Sequence, residues 1–340
     1  MAMNAANNAL QNSAPLNIVI PDDYQDMIGR LACFPLLDGH RVTRYRTPAR
    51  DLDELVARLA DADVVVAIRE RVAFTRELIE RLPRLRQIAL VGRNTRVIDY
   101  AACTEHGIRV TSGISGSPEA PAELAVALML TARRNVAIET ERMKRGEWPQ
   151  TLSHRLRDST LGIFGLGAIG SLMAEAGRGL GMQVLVWGRE GSRDKARAAG
   201  YQTAASQGEL FERADVLQLL VRLTRETHGI VAAADLARMK PTSLLVNVAR
   251  AELIAPGALI AALKAGRPGY AAADVYEQEP VMGGNHPLLK MPNVLCTPHL
   301  GWAEWETFEL YFRECFEQIA AFATGEPLRL ANPEVEGRAR

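Results

Sequence analysis

Three stretches in the second half of this 340-residue chain end in residues able to hold an anion and move a proton. Arg250 follows Val248-Ala249 at the end of an apolar run, Glu279 lies in DVYEQEP (274–280), and His299 lies in TPHLG (297–301). Imidazole titrates near neutral pH, so it can take or return a hydroxyl proton. A carboxylate on its other ring nitrogen fixes the tautomer and stabilises the imidazolium. A guanidinium offers a carboxylate two parallel N–H bonds and supplies positive charge to a polarised carbonyl oxygen. Singly, each of the three is as well explained as a surface or satisfied polar residue. Together, His299 as acid and base, Glu279 as its partner and Arg250 as the carboxylate clamp are the groups required for hydride transfer between a 2-hydroxy acid and a nicotinamide.

The dinucleotide half of that chemistry is written in LGIFGLGAIG (161–170), where Gly165, Gly167 and Gly170 form G-x-G-x-x-G. The first glycine permits a tight turn, the second admits a pyrophosphate to the backbone, and the third lets a helix pack on the preceding strand. Ala168 and Ile169 open that helix, whose unpaired N–H groups and positive dipole end favour phosphate. Glycines at this spacing occur in ordinary loops, so the flanking pattern matters: strand over 160–164, helix over 168–179, strand over 183–187.

The elements that position these groups are strands alternating with helices along the chain. In the first half strands are expected at 16–20, 41–45, 63–68 and 87–91, with helices at 52–59 and 75–82. Their carboxyl ends carry PDDYQD, Arg69-Glu70-Arg71 and the loop 92–96, so Arg69, Arg71, Arg93 and Arg96 are candidates for an anionic substrate. A long helix is expected over 121–145, stopped by Gly146. Beyond the glycine loop, strands at 215–221, 243–249, 270–275 and 294–297 bring the count to roughly six parallel strands between 160 and 297. A last helix, 304–324, returns to the first domain. The expected architecture is α/β, with two doubly wound parallel-sheet domains, Rossmann-like or flavodoxin-like, and a cleft between them. A loose tail (1–15) precedes a discontinuous substrate domain (16–112 plus 306–330) and a dinucleotide domain (113–305).

Composition narrows the partners. Lys+Arg and Asp+Glu both number 40, which gives no reason to expect nucleic acid or an anionic membrane surface. No apolar run reaches the length of a membrane span. The four cysteines are scattered without a C-x-x-C, which suggests neither a disulfide framework nor a metal site and fits a reducing cytoplasm.

Four motifs in order, GLGAIG, NVARAELI, DVYEQEP and TPHLG, resemble those of the D-isomer-specific 2-hydroxyacid dehydrogenases, the family of D-3-phosphoglycerate, glycerate, hydroxypyruvate and glyoxylate reductases. The resemblance runs over about residues 18–322. It implies Arg250, Glu279 and His299 as the catalytic trio and backbone groups of the loop Arg93, Asn94, Thr95, Arg96 as donors to the substrate carboxylate; Arg69 is a candidate for the same anion from its strand end alone. It places Asp274 near the nicotinamide amide, Thr227, Val248 and Gly301 near the cofactor, and a homodimer contact on the helix starting near Pro121.

There are departures. The loop 92–99, GRNTRVID, is shorter and more basic than the family's form, and Ala251 stands where glycine is usual. The acid expected after the second strand of the cofactor domain is replaced by Gly188-Arg189. That acid accepts the ribose hydroxyls and repels a 2′-phosphate. Gly188 removes the repulsion and Arg189, with Arg193, can pair with the phosphate, so the cofactor is NAD or NADP with the balance toward NADP; Glu190, one residue on, is the competing acid. None of the seven tyrosines begins Tyr-x-x-x-Lys, against a short-chain dehydrogenase, and Glu279 in place of glutamine argues against a formate dehydrogenase. The rival class is a nicotinamide-sensing corepressor or scaffold of the same fold with little turnover.

Overall fold

Runs that are aliphatic in all but an end residue set the two sheets. VVVAI and QIALV in the first half, and LLVN in the second, are buried at every position, as strands covered on both faces must be. The computed structural model describes residues 14–93 and 97–339, so most of the expected tail lies outside the described residues. The chain separates into two units, one running to Gly116 and resuming at Trp305, the other Ser117–Glu304.

The first unit contains β1 (Asn17–Ile20), β2 (Arg41–Arg44), α1 (Leu52–Leu59), β3 (Val64–Ile68), α2 (Arg76–Glu80), β4 (Gln87–Val91), α3 (Tyr100–Glu105) and β5 (Arg109–Thr111). Its parallel sheet has the order β2-β1-β3-β4-β5, the flavodoxin-like winding. Asp51, Thr75 and Asp99 start α1, α2 and α3 by accepting a first-turn N–H on the side-chain oxygen.

The second unit opens with α4 (Glu119–Arg133) and α5 (Val136–Lys144), followed by β6 (Thr160–Phe164), α6 (Ala168–Gly179), β7 (Gln183–Trp187), α7 (Glu190–Ala198), β8 (Gln202–Thr203) and α8 (Gln207–Arg213). Then come β9 (Val216–Leu219), α9 (Ala233–Arg238), β10 (Leu244–Asn247), α10 (Ala258–Lys264), β11 (Tyr270–Ala273) and β12 (Val294–Cys296). The sheet is parallel throughout, in the order β12-β11-β10-β9-β6-β7-β8. Strand order reverses at β6, so the glycine loop sits at the switch point where open sheets of this type bind ligands. The last helix, α11 (Trp305–Thr324), rejoins the first unit and buries Phe308, Phe312, Phe316 and Ile319 at helical spacing.

Two expectations need correction. The helix expected over 121–145 begins at Glu119 and breaks after Arg133, because Asn135 takes a left-handed conformation (φ 54°). Its side-chain amide donates to Thr151 Oγ1 at 3.1 Å and to the Leu152 carbonyl at 3.3 Å, partners far along the chain that no local period reveals. The second sheet has seven strands rather than six, since β8 is two residues long and too short to display alternation.

Gln218 lies on β9 between Ile163 and Val246, wholly buried, and neither atom of its amide has a hydrogen-bond partner. An unmet buried polar group costs about 1–3 kcal/mol. Gln218→Met, similar in volume, is therefore expected to raise the denaturant midpoint by the equivalent of about 1 kcal/mol; a lower midpoint would mean that the amide is satisfied in the folded chain.

Candidate active site

His299 and Glu279 meet. Glu279 Oε2 lies 2.5 Å from His299 Nδ1, with both side chains about four-fifths buried, at 18% and 19% exposure. The other oxygen, Oε1, accepts the Tyr276 backbone N–H at 2.9 Å, so the carboxylate is held from two sides. With Nδ1 facing a carboxylate, that nitrogen carries the proton and Nε2 is left to face a reactant. His299 itself is held in a left-handed backbone conformation (φ 52°), which costs a non-glycine residue of order 1–3 kcal/mol and persists only where surroundings impose it.

Asp274 does the imposing. Fully buried at the end of β11, it accepts the Thr297 hydroxyl (2.6 Å) and the Leu300 N–H (2.7 Å) on Oδ1 and the Gly301 N–H (2.9 Å) on Oδ2. Those donors bracket His299. Burial pushes the Asp274 carboxyl above its usual range despite them. Within the chain, the Asp274 carboxylate clamps the histidine loop. Gly301 takes part through its backbone N–H.

Arg250 lies three residues past β10, on the strand next to β11, so Arg250, Glu279 and His299 follow three adjacent parallel strands. Its turn is built by Asn247, whose side-chain nitrogen donates to the Arg250 carbonyl (2.9 Å) while its oxygen accepts the Ala249 N–H (3.0 Å). Arg250 Nη1 donates to the Ala249 carbonyl at 2.6 Å. Val248 is an apolar, buried member of the same turn.

The glycine loop shows three different needs. Gly165 has φ 100°, and a Cβ there would press on Val221 and the Leu220 backbone; at Gly170 it would strike the Gly165 carbonyl oxygen. At Gly167 it would meet nothing within 4 Å. Packing within the chain thus gives no reason for glycine at 167, whereas a ligand approaching the backbone does. Gly167 and Ala168 are exposed, Ile169 is half-buried, and no side chain caps α6. These residues fit the pyrophosphate of a dinucleotide.

One strand over, Gly188 follows β7 and Arg189 stands exposed at the start of α7, which no side chain caps. Glu190 is engaged by its own helix, with Arg193 Nη2 and, at 2.6 Å, Arg197 Nη2. Arg193 lies over the Trp187 ring, 4.9 Å from its centroid. Ser192 Oγ accepts the Leu166 N–H at 3.4 Å, linking this helix start to the glycine loop. Thr227 is buried in its own loop, accepting the Thr224 N–H and donating to the Arg222 carbonyl, both at 2.7 Å.

In the first unit, Arg69 (φ 52°) follows β3 and packs against Gly92 and the Tyr311 ring. Arg93 is exposed and donates from Nε to the Ile114 carbonyl at 3.0 Å. Asn94, Thr95 and Arg96 lie outside the described residues. The sequence reading passed over Tyr276, Thr297, Asn247 and Ser192, all of which shape the site. Asn247, Tyr276 and Thr297 stand inside NVARAELI, DVYEQEP and TPHLG, but only their neighbours had an obvious chemical role.

Comparison with known proteins gives concordant results. Residues 126–301 match the family model for the D-isomer specific 2-hydroxyacid dehydrogenase NAD binding domain. The chain is 36% identical over 276 residues to D-3-phosphoglycerate dehydrogenase of Methanocaldococcus jannaschii, covering 81% of this chain and 52% of that one, so it spans about half of that relative's length. It is 34% identical over 302 residues to glyoxylate reductase of Aeropyrum pernix, covering 86% and 89%. An oxidoreductase crystal structure from Ralstonia solanacearum superposes with a TM-score of 0.90 at 45% identity, covering 94% of this chain and 98% of that one.

The contrast among the glycines is testable. Gly167→Ala should leave thermal stability unchanged, since its Cβ meets nothing, yet weaken dinucleotide binding at least about tenfold by titration calorimetry; unchanged affinity would remove Gly167 from the binding loop.

Proposed function

The chain belongs to the D-isomer specific 2-hydroxyacid dehydrogenase family, oxidoreductases acting on the CH–OH group of donors, and from that membership we propose that it interconverts a small 2-oxo acid and the D-2-hydroxy acid, with NADP as preferred dinucleotide. The observation that carries this reading is the 2.5 Å contact between His299 and Glu279, one strand from Arg250 and on the same sheet as the glycine loop.

A dinucleotide held at Gly165, Gly167 and the start of α6 would supply the hydride chemistry at C2 of the substrate. The chain's own residues do the rest. In oxidation His299 takes the hydroxyl proton at Nε2, and in reduction it returns one to the carbonyl oxygen. Glu279 holds the ring through Nδ1 and stabilises the charge as it forms. Arg250 pairs with the substrate carboxylate and polarises the oxygen at C2. Arg69 and Arg93 are the first-unit candidates for further carboxylate contact. The substrate class is that of glyoxylate, hydroxypyruvate or a phosphorylated glycerate, as the relatives' names suggest.

The preference for NADP rests on three features. Position 188 carries no acid, Glu190 is already paired with Arg193 and Arg197, and Arg189 stands at an uncapped helix start where a phosphate is stabilised. The homodimer contact belongs on the exposed apolar side chains from the end of α4 through α5 and the loop after it, namely Leu130, Val136, Met143, Trp148 and Leu152, for which a second copy of this chain is the fitting cover. The four unpaired cysteines fit a reducing cytoplasm.

A panel of 2-oxo acids assayed with NADH and NADPH tests the reading: at least one is reduced, faster with NADPH at limiting cofactor. Binding of dinucleotide without turnover of any acid would instead leave a sensing or scaffolding protein. His299→Ala should lower kcat by about 10²–10⁴-fold with dinucleotide affinity within a few-fold; equal collapse of binding would make the residue structural. Arg189→Ala should raise KM for NADPH about tenfold or more and leave KM for NADH little changed, consistent with loss of a charge-assisted phosphate contact; equal effects on both cofactors would place the 2′-phosphate elsewhere.

A further inference from the structure

The acid–base pair hangs from two separate strand ends. Glu279 follows β11 and His299 follows β12, and 20 residues of chain separate them. A 2.5 Å contact between groups so placed requires the two ends to be tied to each other close to the pair. Asp274 ties the histidine loop from one side. Tyr276 ties it from the other, and its geometry is unusually economical.

The Tyr276 ring is buried at 7% exposure, packed edge-on against His286 with ring centroids 5.0 Å apart. Its hydroxyl lies 3.0 Å from the Thr297 carbonyl oxygen and 3.3 Å from the Ala273 carbonyl oxygen. Both acceptors are already engaged, one across the two strand ends and one within the histidine turn. The Ala273 carbonyl takes the Thr297 N–H at 2.9 Å, and the Thr297 carbonyl takes the His299 N–H at 3.1 Å. The phenol therefore bridges the last ladder bond between β11 and β12 to the turn that presents the histidine. Through its backbone N–H the same residue holds Glu279 Oε1. Burial pushes the phenol further above its usual range, so it remains an O–H donor wherever the enzyme would work.

We propose that the Tyr276 hydroxyl is the positioning group for the His299–Glu279 pair, fixing the β12 turn relative to the carboxylate that Tyr276 holds through its main chain. The inference rests on the acid–base roles assigned above to His299 and Glu279. It makes Tyr276 a residue that acts through that pair without touching substrate. Phenylalanine keeps the ring and its packing on His286 but cannot bridge the two carbonyls, and the left-handed turn at His299 then loses one of its restraints.

The test is a cycle of Tyr276→Phe, Glu279→Gln and the double variant, assayed for kcat, KM and pH dependence of 2-oxo acid reduction. Tyr276→Phe is expected to lower kcat about three- to tenfold, with KM for the dinucleotide unchanged, and to move the alkaline limb of the reduction profile to lower pH, because an imidazolium less well supported gives up its proton sooner. Glu279→Gln should move that limb in the same direction and further. In the Glu279→Gln background, Tyr276→Phe should cost nothing more, the non-additivity expected of groups acting in one unit. An unmoved limb in Tyr276→Phe, or an equal loss in both backgrounds, overturns the positioning role. If Glu279→Gln leaves both rate and profile as they were, it is the acid–base assignment that falls.

Discussion

A buried carboxylate with three donors governs the site. Asp274 accepts from Thr297, Leu300 and Gly301, and it is this clamp that makes a left-handed histidine tolerable in an L-chain. A histidine on an ordinary extended strand end would point along the sheet's alternation. The reversed turn instead aims the ring back toward the neighbouring strand end, where Glu279 meets it. Burying Asp274 is costly, as its raised carboxyl reflects, and its hydrogen bonds offset that cost only in the folded loop. In the proposed reading, stability spent on the clamp is recovered as a pre-organised acid–base pair.

The sheet supplies the remaining geometry at little expense. Because β10, β11 and β12 are adjacent and parallel, the segments past their carboxyl ends start side by side, and the ties of Asp274 and Tyr276 have only to set the last few ångströms. The reversal of strand order at β6 puts the glycine loop on the same edge. Position along the chain is scattered from Gly165 to Gly301, yet a single edge of one sheet gathers the whole set.

What was legible beforehand follows from which forces are local. The strands over VVVAI, QIALV and LLVN announce themselves because both faces are buried and all but the end residues Gln87 and Asn247 are apolar. The glycine loop and the three motif ends are equally visible, because each demands particular residue types at fixed spacing, and the family that the motifs resembled is the family the chain belongs to. Asn135 breaking a helix, a two-residue β8 and the Tyr276 bridge were not legible. Each depends on a partner distant in sequence, Thr151, the β7 edge and Thr297 respectively, and hydrophobic period carries no record of such pairs. Asp274 is the instructive intermediate: the residue was marked, while its donors and therefore its work were hidden in the fold.

The central claim is that this sheet edge directs a hydride to C2 of a 2-oxo acid and a proton to its oxygen. The most direct measurement uses NADPH deuterated at C4 of the nicotinamide, with each C4 epimer in turn, and analyses the product by mass spectrometry and chiral chromatography. The account predicts that one epimer gives a D-2-hydroxy acid carrying deuterium at C2 and the other gives the same acid unlabelled. Label absent from C2 with both epimers, or an L product, would contradict it.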